Sequence, residues 1–219
     1  MTKLWLIVGV VSLITGLAAV PVGAAPSLLG YTGLLVVPTA DALDEKDFNV
    51  AYYTLNVEEG ADERIFLANL GIDLGTEVGF ARINPDSGSA ETVLSGKYRI
   101  QREDMHKPAM AAGVFDLTDE FDTTVYFVAS KSITGSYRLD GREITSPRIH
   151  VGVGGGSLDG LFLGANAILG RKLNLMAEYD TDDVNLGARL AVTPEIRVHA
   201  GWLNGLDDVA IGASYNKLF

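Results

Sequence analysis

Cysteine is absent from this chain of 219 residues. Disulfide frameworks, thiolate metal sites, a cysteine nucleophile and a lipid-modified N-terminal cysteine are therefore all excluded. Proline is scarce, at 7 residues against 25 glycines, which favours a turn-rich β architecture over a proline-rich linker. Positive charge is also short: 17 Lys and Arg face 28 Asp and Glu, for a formal net charge of -11. Such a surface repels phosphate backbones, so no nucleic-acid partner is expected. After the first 25 residues no run approaches the roughly 20 apolar residues of a membrane helix. No later segment sustains helical periodicity either, so any membrane crossing must be made by strands.

What is present begins with MTKLWLIVGVVSLITGLAAVPVGAAP. Lys3 supplies a positive start, Leu4 to Val20 is apolar, and Val22-Gly23-Ala24 offers small residues for cleavage. This is the layout of a secretory signal peptide over 1–25, with cleavage expected after Ala24 or Ala25.

From residue 47 to 219 the sequence divides into segments of roughly ten residues, the length of a tilted membrane strand. Clusters such as VEEGADE, NPDSGSAE, DLTDEFD, GGGSLDG, DTDD and LNGLDD separate them, rich in residues that tolerate turn dihedrals. Alternation is cleanest late in the chain. Ile196, Val198, Ala200 and Trp202 oppose Arg197, His199 and Gly201, and Val209, Ile211, Ala213 and Tyr215 oppose Ala210, Gly212, Ser214 and Asn216. A period of two gives each strand one apolar face and one polar or small face. Earlier segments (48–57, 65–70 and 125–130) carry apolar residues on both faces, and there β-branched and aromatic content signals the strands. The expectation is an all-β, antiparallel, up-and-down transmembrane β-barrel of about twelve strands, between ten and fourteen.

A soluble barrel would turn its apolar face inward; a membrane barrel inverts this. The continuous apolar face, the Gly, Ala, Ser and Asn of the other face, and Tyr179 and Trp202 near strand ends favour inversion. Tyr98 and Phe127 are open to an ordinary core role. The last segment, VAIGASYNKLF, resembles the C-terminal signal of bacterial outer-membrane barrels, with Tyr215 and Phe219 at its alternating positions and Lys217 departing from the pattern. That resemblance implies that barrel-assembly machinery is a partner, together with outer-membrane lipid. It places the late turns TPE and GRK on the periplasmic side and the acidic clusters outside.

Between signal and barrel, over 26–46, lies PSLLGYTGLLVVPTADAL. Tyr31 to Val37 is apolar enough for a strand that Pro38 would stop. The alternatives are a segment tucked into the lumen as a plug, a further strand, or a lead-in at the periplasmic rim. GYTGLLVVPTADAL resembles the opening motif of YjbH-type outer-membrane barrels through Gly30, Gly33, Leu34, Pro38, Thr39 and Ala40. The resemblance implies a structural or accessory role in export or surface assembly of exopolysaccharide, with polysaccharide-export proteins as partners.

Chemistry is sparse. Of the three histidines, His106 falls in a turn, while His150 and His199 fall on lumen faces. His199 neighbours Arg197 along its strand and approaches Arg189 and Glu178, which predicts a lumen network of paired charges. No lipid-facing Ser–His pair is apparent, GVGGGSLDG lacks the Lys and following helix of a phosphate loop, and no acidic cluster has EF-hand spacing. No catalytic, cofactor or metal site is expected, and the protein is not expected to be an enzyme. The competing functions are a small pore for solutes, its selectivity set by lumen charges, and more remotely a barrel enzyme.

Overall fold

The computed structural model describes residues 24–133, 137–139, 142–170 and 172–218. Thirteen strands follow one another: β1 Phe48–Asn56, β2 Glu63–Gly71, β3 Thr76–Pro85, β4 Glu91–Gln101, β5 Ala109–Phe115, β6 Thr124–Ser132, β7 Tyr137–Leu139, β8 Arg142–Gly154, β9 Gly160–Leu169, β10 Leu173–Tyr179, β11 Val184–Ala191, β12 Ile196–Leu203 and β13 Asp208–Lys217. Apart from β6 and β7, consecutive strands pair antiparallel; β6 pairs with β8, and β1 pairs with β13 from Phe48 opposite Lys217 to Asn56 opposite Val209. The result is a closed barrel of twelve strands, as the segment lengths predicted. Closure satisfies every edge, the condition for strands in lipid. Among the described residues short β7 pairs only with the start of β8, so Tyr137–Leu139 and Arg142–Ile144 form a short antiparallel pair beyond the β6–β8 ladder. The expected turn at Asp140-Gly141 and the terminal Phe219 lie outside the described residues, as does the signal segment 1–23.

The inversion is visible residue by residue. In β12, Ile196, Val198 and Trp202 are exposed while Arg197, His199, Gly201 and Leu203 are buried. Large apolar side chains cover the outside, Val125 at 65% and Ile211 at 60% exposure among them. Monomeric soluble proteins do not expose apolar surface in a continuous band of this kind. Tyr98 and Phe127 belong to that outer face too, rather than to a core. Tyr179 and Trp202 sit at the loop end of their strands, and Tyr215 sits at the other end, where it meets Phe48 across the β1–β13 seam with ring centroids 6.0 Å apart. Aromatics at both margins of an apolar belt are what two membrane–water boundaries select.

A barrel of twelve strands is wider than its wall side chains alone can fill. Its interior holds the chain that precedes β1. Leu28, Tyr31, Leu34, Leu35, Val37, Ala40 and Leu43 are all buried, and the first six pack with Tyr53, Ile65, Leu67, Phe115, Tyr126 and Phe162 of the wall. This is why β1, β2 and β6 carry apolar residues on both faces. One face meets lipid and the other meets this inner segment. Each buried Leu or Tyr contributes roughly 1.5–3 kcal/mol toward keeping the segment inside.

Candidate functional site

The inner segment forms neither helix nor strand among the described residues, so Tyr31–Val37 is not an additional strand. It folds back on itself through Ser27 N–H to the Tyr31 carbonyl (2.7 Å), Leu28 N–H to Leu35 (2.8 Å), Gly33 N–H to Ala25 (2.9 Å) and Leu34 N–H to Val37 (2.9 Å). Isolated bridges join Pro26 to Thr32 and Gly33 to Pro38. Gly30 makes the first bend at φ +81°, a conformation that side-chain-bearing residues rarely adopt. A coiled segment inside a barrel leaves many backbone groups without partners of their own, and each must be satisfied by the wall.

The wall supplies them mostly from charged side chains. Glu178 on β10 accepts three successive N–H groups, from Leu35 (3.0 Å), Val36 (2.7 Å) and Val37 (3.2 Å). Arg189 on β11 donates to the carbonyls of Pro26 (2.7 Å), Gly33 (3.0 Å) and Leu34. Across the barrel, Glu77 on β3 accepts the N–H groups of Thr32 (2.7 Å) and Leu43 (2.9 Å), and also the Thr32 hydroxyl. Lys97 on β4 donates to the Thr32 carbonyl, to its hydroxyl (2.7 Å) and to the Asp41 carbonyl (3.1 Å), with Glu77 3.7 Å away. Both members of that pair are buried. Hydrogen bonds to ionised groups are about twice as strong as neutral ones, so a charged wall holds an uncharged backbone firmly.

The predicted network is thus only partly a network of its own members. Arg189 and His199 do meet, Nε to Nδ1 at 3.1 Å. Because the guanidinium can only donate, His199 accepts at Nδ1 and donates from Nε2 to Ser214 Oγ (2.8 Å). Tyr53 also approaches Nδ1, at 3.1 Å. Arg197 is buried on the same face, two residues before His199. Glu178 does not bond Arg189; both grip the inner segment instead. His150 stands apart, opposite Ser130 in the β6–β8 register. There Ser130 Oγ lies 2.7 Å from His150 Nδ1, His150 Nε2 lies 2.9 Å from Asn166 Oδ1, and Asn166 Nδ2 passes on to Asn174 Oδ1 at 2.9 Å.

A serine, a histidine and an asparagine in a row have the order of a nucleophile, base and orienting group. Here, however, Ser130 Oγ also accepts the Ala40 N–H (2.9 Å) and lies fully buried beneath the inner segment. Among the motif positions, Gly30 gives its carbonyl to Ser95, Gly33 gives its carbonyl to Arg189, Pro38 bridges to Gly33, and Thr39 is buried.

Sequence reading missed Glu77, Lys97, Arg99 and Arg148. The signal was there: Glu77, Gly79 and Ala81 alternate with Val78 and Phe80, and Ser95 and Lys97 alternate with Leu94 and Tyr98. The last two hold the segment's exit. Asp41 pairs with Arg148 (2.6 Å), and Asp44 with Arg99 and with Arg102 (2.7 Å). Burial works to raise the Asp41 carboxyl, but the charge and hydrogen bond of Arg148 outweigh it and hold it below its ordinary value of 3.8. Asp44 is lowered likewise: desolvation pushes up, and the hydrogen bonds of Arg102 and Arg99 win. Depressed carboxyls contribute stability above their unfolded value and lose it as pH falls through the folded one. Acidification below pH 3.8 should therefore loosen residues 41–44. Hydrogen exchange at the Leu43 amide against pH would show it, and Asp41→Asn with Asp44→Asn should flatten the profile.

The loop end differs sharply from the other end. Its loops (57–62, 86–90, 116–123, 155–159, 180–183 and 204–207) contain Glu58, Glu59, Asp116, Asp180, Asp182 and Asp183 among other acids, and no Lys, Arg or His. Leu29 and Val36, at the tip of the inner segment, form with Phe115, Leu158, Asp180 and Asp182 a cavity of about 170 Å³ at this mouth. The opposite end carries Arg102, His106 and Lys107 in the turn after β4, with His106 exposed as expected.

Among solved structures the chain is similar to KdgM porin, with a TM-score of 0.54 at 10% identity over 76% of this chain and 98% of that one. The same porin in complex with disordered oligogalacturonate gives 0.52 at 11% identity, over 76% and 98%. The Acinetobacter baumannii outer membrane protein Omp33 gives 0.45 at 12% identity, over 80% and 99%. The likeness is one of fold. No family model matches the chain, and no curated protein matches it in sequence.

These findings correct the YjbH-type resemblance drawn from residues 30–40, and with it the exopolysaccharide role, for which nothing speaks. The residues that carried the resemblance have a local explanation. Gly30, Gly33 and Pro38 shape a backbone coiled tightly enough to fit a barrel, and Leu34 fills the space beside Gly164.

Proposed function

We propose that the protein is a small pore of the bacterial outer membrane, closed at rest by its own N-terminal segment and favouring cationic solutes. One observation carries this reading. The lumen is filled by a chain segment of residues 25–43 packed against the wall's inward side chains, not by those side chains alone. Remove that segment and a barrel of this strand number encloses a channel. Likeness in fold to a porin supports the reading, as do the apolar belt and its aromatic margins. No enzymatic role is proposed, since the Ser130–His150–Asn166 row holds the segment by Ala40 and is covered by it. Outer-membrane lipid and the assembly machinery are the partners this reading requires, and removal of the signal segment is part of it.

The mouth decides the charge preference. Acidic loops whose carboxylates outnumber the cation beside them, Arg64 paired with Asp86, concentrate cations and repel anions, which raises cation entry severalfold at low salt. An acidic saccharide such as the oligogalacturonate bound by KdgM porin is a poor match for this entrance.

Planar-bilayer conductance of the refolded protein lacking residues 1–24 tests both parts. The parent should be nearly silent, with rare openings whose reversal potential in a salt gradient shows cation preference. Chloride preference would refute the charge argument, and steady large conductance in the parent would refute closure at rest.

A further inference from the structure

The wall reads the inner segment almost wholly through its backbone. Carboxylates take N–H groups: Glu178 those of Leu35, Val36 and Val37, Glu77 those of Thr32 and Leu43. Cations and hydroxyls give to carbonyls: Arg189 to Pro26, Gly33 and Leu34, Lys97 to Thr32 and Asp41, Arg99 to Ala42, Ser95 to Gly30. Ser130 adds one more acceptor, for Ala40. Both polarities together suit a ligand that carries separate donors and acceptors in alternation along its length. A saccharide hydroxyl donates and accepts at one oxygen, so it can pair with a carboxylate or a guanidinium alike and does not require the two sorted along its length. A peptide backbone has separate N–H and C=O groups, which is what this wall sorts. Apolar wall residues lie between these groups: Tyr53, Ile65 and Leu67 on one side, Tyr126 and Phe162 on the other. They give small apolar side chains a place to rest.

We infer that the lumen is a peptide-binding site, that its resting occupant is the protein's own residues 26–43, and that the solute class of the opened pore is short peptides. This rests on the pore reading above for its transport half, while the binding half stands on the hydrogen-bond geometry alone. The acidic mouth adds that basic peptides enter faster than acidic ones.

The test empties the lumen without touching the wall groups that read backbone. Leu34 packs against Gly164, and Leu35 against Gly187 and Gly201. Leu34→Asp with Leu35→Asp, in the otherwise complete chain, buries two unpaired carboxylates if the segment stays and so drives it out. Titration calorimetry in detergent then compares three probes: a synthetic peptide of residues 26–43, N-acetyl-tetraalanine amide, and maltotriose. The first should bind tightly, the second weakly, the third not at all. Glu178→Gln in the same background should weaken both peptides by about tenfold or more, the cost of a lost charged hydrogen bond.

Equal binding of maltotriose and the peptides, or no effect of Glu178→Gln, would overturn the inference. Binding in detergent with no conductance in a bilayer would sink the pore and leave the peptide site standing. If the double variant does not refold, the parent chain serves. With no native cysteine, Leu29→Cys reports the segment's tip, and excess 26–43 peptide should raise its rate of modification by a water-soluble thiol reagent. A rate unchanged by the peptide, or raised equally by maltotriose, counts against the inference.

Discussion

Gly79→Val should leave the barrel folded and unseat the segment inside it. Gly79 lies on the inner face of β3, where a Cβ would overlap the Gly30 carbonyl oxygen and crowd Ser95 Oγ. Valine suits a strand, and its backbone pairing with Asn69 and Ser95 is undisturbed. The clash therefore falls on the occupant. A backbone carbonyl cannot swing aside as a long side chain can, and Gly30 is already fixed by its φ of +81° and its contact with Ala81. Overpacking of this kind costs about 1–3 kcal/mol when a core can yield, and more when backbone meets backbone. The expected result is a protein that keeps barrel-like far-ultraviolet dichroism and conducts steadily where its parent is silent. A Gly79→Val protein as silent as the parent would show that the Gly30 bend is not part of the closure.

The second large effect is expected at Lys97 and Glu77. Lys97→Met strands a buried carboxylate that still accepts the N–H groups of Thr32 and Leu43 but has lost the ammonium 3.7 Å away. Breaking one half of a buried ion pair typically costs about 3–5 kcal/mol. Glu77→Leu should cost a similar amount, because Lys97 is left charged and two backbone N–H groups lose their acceptor. The double variant should cost less than the sum, by about 0.5–3 kcal/mol, the size of couplings between groups in one network. Denaturant unfolding in detergent micelles measures all three. Strict additivity would mean that the two side chains act separately on Thr32 and that their mutual charge contributes nothing.

The second effect bears on how the protein uses charge. Buried ion pairs are weak stabilisers in general, since desolvation offsets attraction. Here the charged groups serve a different end. They make an interior that an uncharged coil can enter without leaving its backbone unsatisfied, and that is solvated again if the coil departs. An apolar lumen would hold the Leu and Tyr side chains but orphan the N–H and C=O groups of residues 26–43. A purely polar lumen would do the reverse. The observed mixture, apolar on β1, β2 and β6 and charged on β3, β4, β10 and β11, meets both needs.

How much of this was legible beforehand differs from element to element. Val184–Ala191, Ile196–Leu203 and Asp208–Lys217 could be placed from their period of two, because pleat alternation is a local property of consecutive residues. The stretch 125–130 was harder. Tyr126 and Val128 point inward yet are as apolar as their outward neighbours, since what they face is another piece of chain. His199 and Arg189 could be foreseen as neighbours, lying on adjacent strands on either side of a short turn. Glu178 could be placed in the lumen but not given its partners, which stand 141 to 143 positions away in sequence.

By itself, then, the sequence determined a closed, inverted barrel, a strand number between ten and fourteen, and an acidic end opposite its termini. Those follow from alternation, turn chemistry and the need to satisfy every edge in lipid, all written within ten-residue windows. Only the tertiary structure decided what fills the barrel and which charges hold it there. A coil has no period to read, and its hydrogen bonds run to whichever wall the closed barrel brings beside it.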